Sequence, residues 1–269
     1  MARSQPATNA SAHRPLLTSG YWAQSKRPLH ILIFLMPLVI AYELGLFFVL
    51  RSEEGLITNK AHVTLIELFD AFGIPPSSGF FLGGVLIIVT LLLWHLLNRD
   101  SWRMDGRTVA IMTLETAALT LPLIVLGQLI SKTAISAGVI ASIGPTEQHL
   151  AEMTFLAQLT VSIGAGLYEE LMFRMLLIAM LHTLLVDLGK LSFNLGAGIA
   201  IVISAAAFTW YHPLEGEAGT LSPQRVAFFF LAGIYFGIVY VARGFGIVVG
   251  VHALYDIVMV SMMNLAEDA

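Results

Sequence analysis

Seven apolar segments, each about as long as a membrane-spanning helix, dominate the sequence. A helix needs about 20 predominantly apolar residues to cross the hydrocarbon core of a bilayer. Hydrophobic residues make up 57% of the 269 residues and charged residues 12%, where a soluble domain has about 25% charged residues. We therefore predict an all-α fold, a polytopic transmembrane helical bundle of about seven spans. The predicted spans are roughly 30–50, 79–97, 109–130, 154–186, 192–212, 226–242 and 245–263.

The flanks of these spans predict the domain organisation and the orientation. Polar residues 1–28 form a predicted amino-terminal tail, and residues 29–269 form one polytopic membrane domain. No small-residue cleavage site follows the first span, which favours an anchor over a signal peptide. Basic residues are more frequent in the tail and in the 98–108 loop than on the opposite side, so the amino terminus is predicted to be cytoplasmic. Without a visible eukaryotic targeting signal, we expect a bacterial inner (plasma) membrane.

Charge and cysteine content exclude several classes of function. The net charge is −4 and no basic block occurs, so nucleic acid is not an expected partner. The chain has no cysteine, which excludes disulfides, thiolate metal sites and cysteine nucleophiles. The expected surroundings are a lipid bilayer.

Three charged residues interrupt the fourth span: Glu169, Glu170 and Arg174. A charged side chain at mid-bilayer costs about 2.5–3.5 kcal/mol on insertion scales. Glu170 and Arg174 are four residues apart, so they lie on one helical face and can form a structural ion pair. That pairing leaves Glu169 unexplained.

Two histidine motifs in later spans suggest that Glu169 has partners. The fifth span ends in "FTWYHP", where Phe208 and His212 are four residues apart. The seventh span contains "GVHALYD", which places His252 and Asp256 on one face. Intramembrane ionisable groups tend to face one another or a wet cavity. We therefore predict one shared polar chamber within the membrane.

The chemistry of such a chamber leaves three alternatives open. A buried carboxylate beside an imidazole can act as a general base. Two histidines and a carboxylate can instead hold a divalent metal such as zinc, with an open position for water. Either device suits a hydrolase, but the same residues also suit an ion or proton pathway or a purely structural network. Two further intramembrane carboxylates, Glu43 and Glu115, are expected to serve helix packing or to face water.

The three motifs together resemble those of the CPBP intramembrane proteases. They are Glu-Glu-x-x-x-Arg at 169–174, Phe-x-x-x-His at 208–212 and His-x-x-x-Asp at 252–256. This family includes the CAAX prenyl endopeptidases of the Rce1 type and the bacterial Abi proteins. The resemblance covers a motif-bearing core of about 150–263. It implies a membrane-embedded endopeptidase acting on membrane-protein or lipidated-protein substrates.

The resemblance also implies a role for each motif residue. Glu169 and His212 would activate the attacking water, while Glu170 and Arg174 would organise the site. His252 and the residue at position 256 would stabilise the oxyanion, although the family commonly has Asn where this chain has Asp256. An ionised carboxylate cannot donate a hydrogen bond, so orientation of His252 or metal binding suits Asp256 better. A metal-free glutamate mechanism is preferred over a metal site.

The alternative to the enzyme is a non-enzymatic membrane protein: a transporter, or an immunity or scaffold protein. Transporters often show paired halves, and this sequence shows no such duplication. One difficulty concerns depth, because seven equal crossings would separate His212 from His252 by much of the membrane. A single site then requires an irregular span, and we expect a short sixth span or a long fourth span to supply it.

Overall fold

The computed structural model describes residues 20–52, 55–56, 59–75, 82–136, 153–216 and 220–267. Residues 1–19 of the predicted tail therefore lie outside the described residues. Within these ranges the chain forms helices joined by short connections, with one two-residue antiparallel pairing of β1 (Arg51–Ser52) with β2 (Gly55–Leu56). The helices are α1 (Tyr21–Gln24), α2 (Pro28–Phe48), α3 (Lys60–Ala71), α4 (Leu82–Asn98), α5 (Gly106–Ser136), α6 (Phe155–Leu188), α7 (Phe193–Tyr211), α8 (Pro223–Arg243) and α9 (Phe245–Glu267).

Six of the described helices are long and apolar enough to cross a membrane: α2, α5, α6, α7, α8 and α9. This confirms the predicted class, a polytopic helical membrane protein. Helix α4, at the place of the predicted 79–97 span, has only 17 residues and falls short of the other six. The expectation of a short sixth span is wrong, because α8 has 21 residues.

Helix α6 supplies the irregularity that the sequence required. It runs for 34 residues and contains two π-helical segments, Leu171–Ile178 and Thr183–Leu188. Such segments are rare and occur frequently at functional sites. Helix α7 follows α6 after a short turn and runs back along it. Glu169 in α6 and His212 at the end of α7 are about equally far along the chain from this turn, so α7 ends beside the middle of α6.

Glycines allow α6 to touch its neighbours backbone to backbone. A Cβ atom at Gly166 would lie 2.7 Å from the backbone nitrogen of Ala253, so α9 approaches α6 as closely as main chains allow. A Cβ atom at Gly164 would collide with the ring of Tyr42 in α2. Small residues at helix interfaces are typical of packing in lipid, where close van der Waals contact replaces the hydrophobic effect.

An ion pair between α5 and α8 explains Glu115. Its carboxylate binds the Arg243 guanidinium and accepts a hydrogen bond from the Tyr21 hydroxyl. The Trp22 ring covers Arg243 at 3.7 Å, and Ser25 accepts a further hydrogen bond of 3.0 Å from this arginine. The helix-packing role expected for Glu115 is confirmed.

Candidate active site

Glu169 and Glu170 are the last two residues of the first, α-helical part of α6, directly before the π-helical segment. Both are buried, with 6% and 0% of their surface exposed. Because the two residues are adjacent on a helix, their side chains leave the axis in different directions. Each therefore meets a different set of partners.

Glu170 belongs to a buried ion pair. Arg174 Nη1 lies 2.9 Å from Glu170 Oε1, and both side chains are fully buried. The guanidinium lies over the rings of Phe208 at 4.3 Å and Phe236 at 5.0 Å, and Nη2 donates to the Gly233 carbonyl at 3.4 Å. The pairing expected from the four-residue spacing is present, and it joins α6 to α7 and α8.

His212 follows the last residue of α7, where the backbone turns from helical to extended. Its Nδ1 lies 2.7 Å from the Phe208 carbonyl oxygen, so this nitrogen carries a proton, because a carbonyl only accepts. Phe229 stacks on the ring at 4.1 Å. The other ring nitrogen, Nε2, therefore points to Glu169, and it lies 3.4 Å from Glu169 Oε2.

His252 also faces Glu169. Its Nδ1 bonds Glu170 Oε1 at 2.8 Å, and its ring stacks on Phe236 at 4.6 Å. Its Nε2 lies 4.0 Å from Glu169 Oε2 and 3.5 Å from Asp256 Oδ2. Glu170 and Phe236 thus fix the ring so that its second nitrogen faces Glu169.

The structure therefore brings the six sequence-predicted residues together. One oxygen of the Glu169 carboxylate, Oε2, lies within 4.0 Å of the Nε2 atoms of both histidines. Within the described part of the chain, Glu169 Oε2 is buried and accepts no hydrogen bond. The predicted difference in depth between His212 and His252 does not separate them, because both reach the middle of α6. Their catalytic roles stay predictions.

Several other histidines and carboxylates among the described residues lie elsewhere. His30 accepts from the Asp105 backbone at 3.3 Å, and His95 packs on Trp102. Glu43 faces the backbone at Gly84 of α4.

The sequence interpretation missed two tyrosines that directly precede Glu169 and His212. Tyr168 is 1% exposed and stacks on His62, and Tyr211 packs against Phe173. Tyrosines at helix ends are also common as anchors at the lipid interface, so the sequence carries no signal that would have found the role of Tyr211.

The zinc alternative stays a prediction. No group of three or more His, Asp or Glu side chains that could hold a metal ion occurs among the residues that the structure describes. Treatment with a chelator tests this alternative.

Six spanning helices and a polar cluster define a polytopic helical membrane protein with a polar site inside the bundle. In this cluster two glutamates, an arginine and His252 are buried, and His212 is partly buried. Residues 151–258 match the family described as type II CAAX prenyl endopeptidase Rce1-like. The matched segment contains all six predicted site residues, and it confirms the resemblance drawn from the three motifs. No curated protein and no solved structure matches the chain.

Proposed function

We propose that this protein is an intramembrane endopeptidase that hydrolyses peptide bonds of membrane-associated protein substrates. The observation that carries the proposal is the position of Glu169. Its buried Oε2 accepts no hydrogen bond within the described residues and lies 3.4 Å from His212 Nε2 and 4.0 Å from His252 Nε2. The match to a family of CAAX prenyl endopeptidases supports the same class of reaction.

The pair Glu169 and His212 suits the activation of water. His212 Nδ1 donates to a carbonyl, so Nε2 of the neutral ring is an acceptor, as is the carboxylate 3.4 Å away. Two acceptors this close repel each other unless a hydrogen lies between them. The pair is therefore suited to hold one shared proton or one water molecule whose hydrogens point at both groups.

In the proposed reaction, Glu169 removes a proton from this water as the water oxygen attacks the scissile carbonyl carbon. The tetrahedral intermediate collapses when the C–N bond breaks, and Glu169 returns the proton to the departing amine. The products are one peptide with a new carboxyl group and one with a new amino group. Apart from this one water molecule, which the reaction consumes, the proposed step uses only groups of the chain and the substrate.

His252 is the candidate for stabilising the developing oxyanion. Its Nδ1 bonds the Glu170 carboxylate at 2.8 Å, and Asp256 and Glu169 lie 3.5 and 4.0 Å from its Nε2. Three carboxylates around one imidazole favour its protonated form. A protonated ring donates from Nε2 towards the position that the oxyanion would occupy, and a preorganised donor of this kind typically contributes about 10²–10³-fold in rate.

The test is Glu169→Gln, which keeps size and hydrogen bonding but removes the proton acceptor. Cleavage of a membrane-protein substrate by purified protein should fall by roughly 10²–10⁴-fold, because base catalysis is lost. His212→Ala should fall similarly, and the double variant should be little worse, because residues that act as one unit are not additive.

Asp187→Asn is the matched control, since Asp187 is an exposed carboxylate on the same helix. It should cleave like the wild type, and all variants should accumulate normally in the membrane. Full proteolysis by Glu169→Gln would rule out the assigned base. A wild type that cleaves nothing but moves an ion in a Glu169-dependent way would establish the carrier instead.

A further inference from the structure

Helix α3 contacts the site from outside the segment that matches the family. It begins after Asn59, whose side chain accepts a hydrogen bond of 2.8 Å from the His62 backbone nitrogen and so caps the helix. The cap fixes the register of Lys60 and His62. Because these residues are two positions apart, they point to nearly opposite sides of the helix.

On one side, His62 stacks on Tyr168 of α6. The two rings are nearly parallel, with centroids 4.6 Å apart and 7° between their planes, and both residues are buried. The Tyr42 hydroxyl bonds His62 Nδ1 at 2.6 Å, and the Tyr42 ring meets Tyr168 edge-on at 5.2 Å. Tyr168 directly precedes Glu169, so this contact restrains the backbone that carries the proposed base.

On the other side, Lys60 contacts Tyr211 at the end of α7. Its ammonium donates to the Tyr211 carbonyl at 3.0 Å and lies 4.3 Å from the centre of the tyrosine ring. The last carbonyls of a helix have no partner within the helix, and a cation placed there is favourable. Tyr211 directly precedes His212, so this contact restrains the end of α7 where the extended backbone begins.

We infer that α3 positions the catalytic pair, with His62 and Lys60 holding the residues before Glu169 and His212 and thereby setting the separation of the two side chains. The inference rests on the proposed function. It assigns a role in the site to a part of the chain before residue 151, where the family match begins. Lys60 and His62 are positioning residues, since they act through the two tyrosines.

The first experiment measures cleavage kinetics of Lys60→Ala. Lys60 is exposed, so the thermal midpoint should not change, whereas kcat should fall by about tenfold or more at unchanged KM, because small misplacements of reacting groups are costly. Lys60→Arg, which keeps a cationic donor, should restore most of kcat. Lys190→Ala is the matched control, because Lys190 also donates to a backbone carbonyl, that of Asp187, at the far end of α6. It should leave kcat unchanged.

Hydrogen exchange gives a second measurement that needs no catalysis. Amides of 209–212 should exchange faster in Lys60→Ala than in the wild type or in Lys190→Ala, because the end of α7 loses its restraint. If the wild type proves inactive, the proposed function fails while this measurement still tests the role of α3. Unchanged exchange in Lys60→Ala would overturn the inference.

The kinetic outcomes are equally decisive. A higher KM at unchanged kcat would mean that Lys60 contacts the substrate and would overturn the positioning role, as would unchanged kinetics. His62→Ala should lower kcat, and His62→Phe, which keeps a flat ring on Tyr168, should restore part of it. Because His62 is buried and its variants are at risk of misfolding, the Lys60 variants alone decide the inference.

Discussion

Replacing Arg174 by alanine should destabilise the protein strongly, because it leaves the Glu170 carboxylate buried beside a single remaining partner, His252. Both members of the pair are fully buried and 2.9 Å apart. Removing one partner of a buried ion pair typically costs about 3–5 kcal/mol, since the other charge stays uncompensated. The loss of the guanidinium from the faces of Phe208 and Phe236 contributes in the same direction.

This cost converts to a measurable change in melting temperature. At about 2–4 °C per kcal/mol, the range for chains of this approximate size, the midpoint in detergent should fall by roughly 6–20 °C. The assay heats purified Arg174→Ala in detergent and measures the fraction of the protein that remains monodisperse at each temperature. The double variant Glu170→Gln/Arg174→Met removes both charges at similar volume and should regain much of the stability.

The double variant also separates stability from activity. It should remain nearly inactive while its melting temperature recovers, because the group 2.8 Å from His252 Nδ1 no longer supplies the negative charge that the proposed oxyanion donor requires. An unchanged midpoint for Arg174→Ala would contradict the reasoning. So would a double variant that is no more stable than the single variant, because the cost would then not come from an unpaired charge.

Three further predictions concern helix contact, the last motif position and metal. Gly166→Ala should lower both activity and stability, because its Cβ atom would lie 2.7 Å from the Ala253 backbone nitrogen and force α6 and α9 apart. Cleavage rate and melting temperature check this. The control is Gly198→Ala, because Gly198 has open space around it. Asp256→Asn should keep cleavage within about tenfold of the wild type, because an amide can still orient His252; a loss comparable to that of Glu169→Gln would assign Asp256 a direct chemical role. Treatment with a chelator should leave cleavage unchanged, and a loss that added zinc restores would instead establish the metal mechanism.

Local and distant features of the site differed in how well the sequence predicted them. Glu170 and Arg174 are neighbours on one helix, so their spacing alone predicted the ion pair. The approach of His212 and His252 to Glu169 joins three helices, and the sequence predicted it only through the combination of motifs. The expected separation of His212 and His252 in depth was wrong, because that expectation treated the spans as equal. Helix α6 runs for 34 residues, and α7 ends beside the middle of α6.

The contact of α3 with the site had no sequence signal at all. Helix α3 (Lys60–Ala71) lies between α2 and α4, outside the three motifs that indicated the site. Nothing in the sequence indicates that His62 stacks on Tyr168, because aromatic stacking between distant positions follows no periodicity. Such a contact depends on how α3, which lies between α2 and α4 in the chain, packs on α6.

The sequence by itself determined the class of fold and the residues of the candidate site. Lipid leaves no water for the backbone, so long apolar segments must become helices, and charges within them must find partners inside the bundle. Only the tertiary structure decided which histidine faces which glutamate oxygen and which outside residues hold them. Those distances depend on glycine contacts, such as that of Gly166 with Ala253, and on the π-helical segment after Glu170. In both places packing between helices, rather than local propensity, sets the geometry.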